Sequence, residues 1–226
     1  MIVEHFDELD STQTLARERL VTHGRTPRAI VASRQRAGRG THGRSWHTEP
    51  DGAIACTVIW PFARGAAQMQ GLSLAVGLTL AVALHPDVRV KWPNDLIQAD
   101  RKLGGILIEL SGSPCTALIG FGINLIQPHG IDPPAIGLDS VRHADRASLL
   151  DDLLAALETA LPRFEQNGFA DFTADWPARD ALSGRTVRVD GTYNAIARGV
   201  DHLGRLTVET SEGLVSLVAA QVRPIP

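Results

Sequence analysis

The densest run of reactive residue types lies in residues 33–48, SRQRAGRGTHGRSWHT, where Arg34, Arg36, Arg39 and Arg44 stand with two histidines and no acid. A short segment so charged is an anion site by composition. Gly38, Gly40 and Gly43 let the backbone fold its N–H groups around oxygens, and Arg39 and Arg44 add forked charged donors. Phosphate or carboxylate is the natural ligand; a solvated basic loop is the plain alternative. The same glycines spell GxGxxG, but a dinucleotide site of that form needs a helix directly after them and an acid about 20 residues further on. Here SWHTEPDG follows, and no Asp or Glu occurs between Asp51 and Asp87. A kinase loop is excluded too, since neither HRD nor DFG occurs.

The second constellation is Lys91-Trp92-Pro93-Asn94-Asp95, followed by Asp100-Arg101-Lys102-Leu103-Gly104-Gly105. Lys91 ends a strand and Pro93 breaks it, so Asn94 and Asp95 are expected beyond the sheet edge. An Asp beside an anion site can hold Mg²⁺, which takes one or two carboxylates plus phosphate oxygens. Lys102, in a tight turn, can set an ammonium on an oxyanion that develops during reaction. Taken singly, Asn94 and Asp95 also suit a plain turn and Lys102 a surface charge. His42 and His47 read as loop residues, since no HExxH spacing is present. Trp46 and Trp92 read as pocket wall or core.

These residues need elements to hold them. Ser11 to Leu20 reads as a short capped helix, with Ser11 and Thr12 at its N-terminal end. Arg28 to Ser33, Ile54 to Trp60, Val88 to Trp92, Gly104 to Leu110 and Thr116 to Ile123 read as strands, and Met69 to Leu84 as a buried helix. Ser148 and Asp151 form a capping-box pattern ahead of a leucine-rich helix that Pro162 should kink or end. After Trp176 and Pro177 come the short runs TVRV, YNAIARGV, RLTV and LVSLV, divided by glycine turns, which predict a small β-barrel. The expected organisation is α+β: residues 1–182 as a mixed sheet with packed helices, and residues 183–226 as the barrel.

Composition sets limits on function. The 226 residues carry 22 Lys+Arg against 25 Asp+Glu, a formal charge of −3, which excludes a globally basic nucleic-acid coat. The longest nearly apolar stretch, Gly71 to Leu84, is 14 residues and short of the roughly 20 of a spanning helix, so no membrane role is expected. MIVEHFDELD holds four acids and no Lys or Arg, unlike a secretory signal. Two cysteines, Cys56 and Cys115, make no disulfide framework and suit a reducing cytoplasm.

Taken together, the motifs resemble those of the biotin protein ligases, the biotin acetyl-CoA-carboxylase ligases. GRGTHGRSW (38–46) is similar to the family's GRGRxGRxW, KWPNDL (91–96) to KWPND, and RKLGGILIE (101–109) to KLxGILxE. GFGINL (120–125) and DSTQ (10–13) are similar to its GxGxN and DST(N/Q) segments, in the same order. The resemblance implies a catalytic fold like that of class II aminoacyl-tRNA synthetases, followed by an SH3-like barrel. It also implies a two-step reaction in which biotin and MgATP give biotinyl-5′-AMP, and a lysine of a biotin carboxyl carrier protein takes the biotinyl group. By matching positions, Ser11, Thr12, Gln13 and Gln35 would bond the ureido ring, and Arg39, Gly40 and Thr41 would close over biotin and the adenylate. Lys102 would meet the biotin carboxylate, Arg44 the phosphate, Asn124 the nucleotide, and Asn94 and Asp95 the Mg²⁺, phosphate or incoming lysine. ATP, Mg²⁺ and biotin are then co-substrates, and no tightly bound cofactor is expected.

Thr41 and His42 depart from the family's basic residues, leaving a loop with fewer full charges. The resemblance places the adenine side at 128–140, allows a homodimer through sheet edges, and predicts no DNA-binding role. Two competing readings remain at this stage. A lipoate ligase or octanoyltransferase of the same fold usually carries an RRxSGGG-type loop, and the transferases use a cysteine nucleophile. A nucleic-acid-binding module would need interleaved aromatics, whereas Tyr193 is the only aromatic after Trp176.

Overall fold

The structure, a computed structural model, describes residues 1–46, 51–128, 130 and 135–225. Along the chain run β1 (Ile2–Leu9), α1 (Thr12–His23), β2 (Arg28–Gln35), β3 (Gly38–Arg39), β4 (Ser45–Trp46), β5 (Ala53–Pro61) and α2 (Leu72–Leu84). Then come β6 (Arg89–Lys91), β7 (Asp95–Gln98), β8 (Arg101–Ser111), β9 (Thr116–Asn124) and α3 (Arg146–Asn167). The last part holds β10 (Thr186–Val189), β11 (Tyr193–Val200), β12 (Leu206–Thr210), β13 (Gly213–Leu217) and β14 (Val222–Pro224).

Seven strands form one mixed sheet in the order β1-β2-β5-β9-β8-β7-β6, with β1 and β2 parallel and the other pairs antiparallel. Alternation along its strands decides what each face does. Ile54, Cys56 and Val58 of β5 and Ala117, Ile119, Phe121 and Ile123 of β9 join the main core with α2 and α3. Ile59 and Leu118, of opposite parity, pack with Ala16 of α1 on the other face. That second face carries little apolar cover, and it is where the site lies.

α2 contains no charged residue and is apolar nearly all round, which is why both the sheet and α3 can bury it. With the 3₁₀ turn Ala66–Met69 before it, the helical run reaches 19 residues and is long and apolar enough to cross a membrane by length and composition. It is core instead: Leu72, Leu74, Leu78, Leu80 and Leu84 are all buried among the sheet and α3.

Several expectations are corrected. The helix expected to start at Ser148 begins at Arg146, capped by Asp145, whose side chain accepts a hydrogen bond from the Ser148 N–H at 2.8 Å. Pro162 does not end it: α3 runs on to Asn167, with Leu161 and Phe164 buried on either side of the proline. Burying two such side chains, worth about 1.5–3 kcal/mol each, outweighs one lost hydrogen bond. The acidic N-terminus forms β1, an edge strand whose alternation is obscured by three acids, Glu4, Asp7 and Glu8. Asp95 lies inside the sheet rather than beyond its edge, because the chain turns at Trp92–Asn94 and β7 pairs back on β6.

The C-terminal strands form a separate five-stranded antiparallel sheet, β13-β12-β11-β10-β14. Among its ties to the main sheet, two involve the β6 edge and the turn after it. Val90 of β6 donates to the Arg179 carbonyl at 2.7 Å and accepts from Ala181 N–H at 3.0 Å, so the connecting segment covers the edge strand. The Trp92 indole Nε1 donates to the Gly204 carbonyl at 3.1 Å. Gly204 has φ +76° and lies against Gly71, leaving no room for a Cβ between them.

Core substitutions should rank by burial. Phe164 is buried edge-on against Phe62, ring centroids 6.3 Å apart. Phe164→Ala is expected to lower stability by about 3–5 kcal/mol, and Val21→Ala, on the exposed face of α1, by less than about 0.5 kcal/mol. Urea unfolding monitored by circular dichroism checks both.

Candidate active site

The site begins as a patch of small residues in the middle of the sheet. On the α1 face, Thr57 of β5, Gly120 of β9 and Leu107 of β8 are neighbours in one cross-strand row, and Ala55, Gly122 and Gly105 in the next. A side chain at either β9 glycine would collide with what covers it. A Cβ on Gly120 would come 2.7 Å from Gln13 Oε1, and one on Gly122 would come 2.3 Å from the Trp46 ring. The cavity over this floor encloses about 470 Å³ out to its open mouth.

Its inner end is polar. The Gln35 Oε1 at the end of β2 accepts from the Thr12 N–H at 2.8 Å and from Thr12 Oγ1 at 3.1 Å. Thr57 Oγ1 lies 2.9 Å from Thr12 Oγ1 and 3.1 Å from Gln13 Oε1, while Gln13 Nε2 donates to the Leu118 carbonyl at 3.2 Å. Ser11, N-cap of α1, uses no side-chain cap bond, and its Oγ is buried without a protein partner; so is Trp46 Nε1. A buried polar atom left unpaired costs about 1–3 kcal/mol, so a cavity lined by such atoms is built for a ligand that pairs with them.

The loop that carries the arginines is held by backbone. Arg36 and Ala37 N–H groups donate to the carbonyls of Leu9 and Asp10, at 2.8 Å each. β3 and β4 pair, and the Gly40 N–H reaches the Arg44 carbonyl at 2.7 Å. A Cβ on Gly38 would lie 2.4 Å from the Trp46 carbonyl oxygen, so glycine is what lets this hairpin close. The 3₁₀ turn Thr41–Gly43 contains the last of these glycines, and the strand β4 follows it where a dinucleotide site would have a helix.

The outer end is charged. β7 and β8 shift register between Leu96 and Ile97, and the extra residue re-aims Lys102 to the face that carries Asp95 and Gly105. Lys102 Nζ lies 2.6 Å from Asp95 Oδ1, and Lys91 Nζ lies 3.1 Å from Asp95 Oδ2. Burial alone would raise the Asp95 pKa, but the ammonium of Lys102, and then that of Lys91, hold it below the usual carboxylate range. Asn94 fixes the turn by donating to the Ile106 carbonyl at 2.8 Å. A second, polar groove of about 510 Å³ opens beside these groups, between them and residues 220–223 of the C-terminal sheet.

The donors at Asp95 do not fit a resident Mg²⁺. Each of its oxygens is already bound by an ammonium group, and no cluster of three metal-ligating side chains occurs among the described residues. Cys56 is no better placed for nucleophilic work. Its side chain lies on the helix face of the sheet, and burial pushes its thiol far above the ordinary range, so it stays protonated.

Of the residues singled out from sequence, Ser11, Thr12, Gln13, Gln35, Arg39, Gly40, Thr41, Asn94 and Lys102 line the first cavity. Arg44 and Asp95 line the second, which shares Thr41, Asn94 and Lys102 with the first. Asn124 lines neither; it is buried at the end of β9 and donates to the Ile136 carbonyl at 3.3 Å. His47 and residues 129 and 131–134 of the expected adenine side lie outside the described residues. Sequence reading missed Thr57, Gly105, Gly120, Gly122, Lys91 and Arg223 as site residues. The two β9 glycines had a signal, their equal parity in GFGIN; Arg223 had none, being joined to the site only by folding.

Known proteins resemble this chain in sequence and in fold. Residues 6–124 match the Biotin/lipoate A/B protein ligase family. The chain is 36% identical over 202 residues to the bifunctional ligase/repressor BirA of Escherichia coli strain K12, covering 83% of this chain and 63% of that protein's length. It is 34% identical over 208 residues to the biotin--[acetyl-CoA-carboxylase] ligase of Mycobacterium tuberculosis, covering 85% and 77%. The solved structure of the biotin protein ligase from Aquifex aeolicus in complex with biotin and ATP superimposes with a TM-score of 0.84 at 26% identity, covering 99% of both chains. With the family match spanning more than half of its length and the same two-sheet architecture throughout, the chain belongs to the biotin/lipoate A/B protein ligase family, among the biotin protein ligases.

Proposed function

We propose that this protein joins biotin to ATP as biotinyl-5′-AMP and then transfers the biotinyl group to a lysine of a biotin carboxyl carrier protein of acetyl-CoA carboxylase. One observation carries the reading: a single cavity has hydrogen-bonding side chains at its closed end, with Ser11 Oγ unpaired, and the Lys102 ammonium at its open end. Biotin has that polarity, a ureido ring at one end and a carboxylate at the other. The dithiolane of lipoate and the methyl end of octanoate offer the unpaired Ser11 Oγ no hydrogen-bond partner, and a buried polar atom left unpaired costs about 1–3 kcal/mol.

In the first step a biotin carboxylate oxygen attacks the α-phosphorus of ATP, and the bond from that phosphorus to the β-bridging oxygen breaks to release pyrophosphate. Lys102 holds the carboxylate and offsets charge as it moves onto phosphate. Arg39 and Arg44 supply forked donors to the phosphates. In the second step the neutral lysine amine attacks the acyl carbon, AMP leaves with the acyl–oxygen electron pair, and the amine proton is lost to solvent or base. Mg²⁺ belongs to this proposal as part of the MgATP substrate, held by phosphate oxygens, with Asp95 serving to set the two ammonium groups. Asn124, buried beside the segment that leads toward 128–140, supports the nucleotide side by fixing backbone. The protonated thiol of Cys56 argues against the cysteine-transferase reading.

The test is ATP–pyrophosphate exchange with purified protein and Mg²⁺, run with biotin, lipoate and octanoate side by side. Exchange with biotin alone is expected; exchange with lipoate and not biotin would keep the chemistry and overturn the substrate. Lys102→Ala should slow biotin-dependent exchange by about 10²–10³-fold, and a rate within a few-fold of wild type would remove the lysine from the reaction. Gly122→Ala, whose Cβ drives the Trp46 ring off the floor, should raise the KM for biotin at least about 10-fold. An unchanged KM would mean that the ring moves aside without entering the cavity.

A further inference from the structure

Lys102 lies where the main sheet gives its backbone the least support. On one side β7 pairs Leu96 with Gly104 and then Ile97 with Lys102, so Leu103 between them has no partner. On the other side β9 pairs with β8 only from Gly104, opposite Ile123, and ends at Asn124. A later segment takes the place that β9 leaves open. Ala135 forms a parallel bridge with Lys102, and the Ile136 N–H donates to the Lys102 carbonyl at 3.0 Å. A bulged strand bends and pairs poorly, so this added neighbour decides where the Lys102 backbone rests.

The strap 135–140 is itself pinned at several points. Ala135, Ile136 and Leu138 are buried, and the Asn124 side chain donates to the Ile136 carbonyl at 3.3 Å. The Asp139 N–H donates to the Leu125 carbonyl at 3.0 Å. Between these pins a Cβ on Gly137 would come 2.3 Å from the Ile126 carbonyl carbon and 2.5 Å from the Gln127 nitrogen, so only glycine lets the strap lie this close. Ser140 closes the turn: its N–H and its Oγ reach the Gly137 carbonyl at 3.3 Å and 2.7 Å, and Gln98 Oε1 of β7 lies 3.2 Å from the same Oγ. That hydroxyl has one proton for two acceptors, and the shorter contact to Gly137 takes it. None of residues 135–140 lines either cavity, so their reach to the chemistry runs through the Lys102 backbone.

We propose that the strap 135–140 is a positioning device for Lys102, with Gly137 and Ser140 as the positioning residues that shape it. This rests on the adenylation reading above and adds to it the element that aims the lysine. A displacement of about 1 Å at a reacting group can cost about 10²-fold in rate, and the Lys102 ammonium, 2.6 Å from Asp95, leaves little room for error. Gly137→Ala, which pushes the strap off β8, should lower kcat of biotin-dependent ATP–pyrophosphate exchange about 10- to 100-fold. Ser140→Ala loosens one pin at an exposed position and should lower it about 3- to 10-fold, with the KM for ATP within about two-fold of wild type. Ser140→Thr, which keeps the hydroxyl, should restore most of the rate.

The deciding measurement repeats both substitutions in the Lys102→Ala background. A device that acts through the lysine has nothing left to aim there, so Gly137→Ala and Ser140→Ala should cost less than about two-fold further. The same fractional loss with and without the lysine overturns the proposal, as does a loss confined to the KM for ATP, which would make the strap a nucleotide wall. Hydrogen exchange of the peptide that contains Ile136 reads the tie without turnover: its amide should be protected in wild type and exchange faster in both variants. Unchanged protection together with an unchanged rate in Ser140→Ala and Gly137→Ala also overturns it. Wild-type protein with a protected Ile136 amide but no biotin-dependent exchange would instead overturn the adenylation reading, leaving the strap without the step assigned to it.

Discussion

Everything in the site follows from a lack of side chains at the centre of the main sheet. A seven-stranded sheet packed by helices on one face must be covered on the other, and large residues would ordinarily supply that cover. Here Gly120 and Gly122 of β9, beside Gly105 of β8 and Ala55 of β5, leave a depression instead. Gln13 and Trp46 close on it from opposite sides at distances that a Cβ would forbid. The consequence is a cavity whose floor is backbone, whose walls are a helix N-terminus and a hairpin, and whose depth is set by two missing methyl groups.

The charged end depends on a different device, the irregular pairing of β7 with β8. In a regular ladder Lys102 would point to the face opposite Gly105, three residues on. The extra residue reverses that, while Leu103 stays in the core. Once aimed, the lysine needs a counter-charge to keep it ordered before the ligand arrives, and Asp95 is that group. Because Asp95 is shared with Lys91, neither ammonium is neutralised outright, and the groove keeps a net positive field toward an incoming anion. Low exposure makes the arrangement worth more than a surface pair, which contributes only about 0–1 kcal/mol.

Much of this was legible in the sequence, and what was not has physical causes. The glycine-arginine loop, KWPND and the RKLGG turn were readable because their residue types are costly unless they have a task. The five main-sheet strands with apolar runs were readable from β-branched content. β1 was not, since an edge strand tolerates the acids that hid its alternation. Asp95 was mistaken for a loop residue because proline marks a break, and here the break is a tight turn between two strands. Pro162 was over-read for the converse reason: local propensity lost to the burial of its neighbours. Asp145 outcompeted the Ser148 pattern because an N-cap is decided by which carboxylate reaches the third N–H, and a serine already inside the first turn cannot cap it.

On the proposed adenylation reading, the two cavities let one lysine face both partners of the activation step. Lys102, with Thr41 and Asn94, borders the apolar-floored cavity and the cationic groove alike. A carboxylate lying in the first cavity and a phosphate lying in the second can therefore meet only at that shared border. The bond that must form is between them, so the geometry confines it to the place where an ammonium already stands. Water is the competing nucleophile for any mixed anhydride made there. The loop 36–46 forms the remaining wall of the border, and its backbone ties to Leu9 and Asp10 decide how fully it can be shut. Retention of a reactive intermediate is thus a property of the loop's anchoring as much as of its charge, and Thr41, which touches both cavities with no charge of its own, leaves that anchoring to carry the larger share.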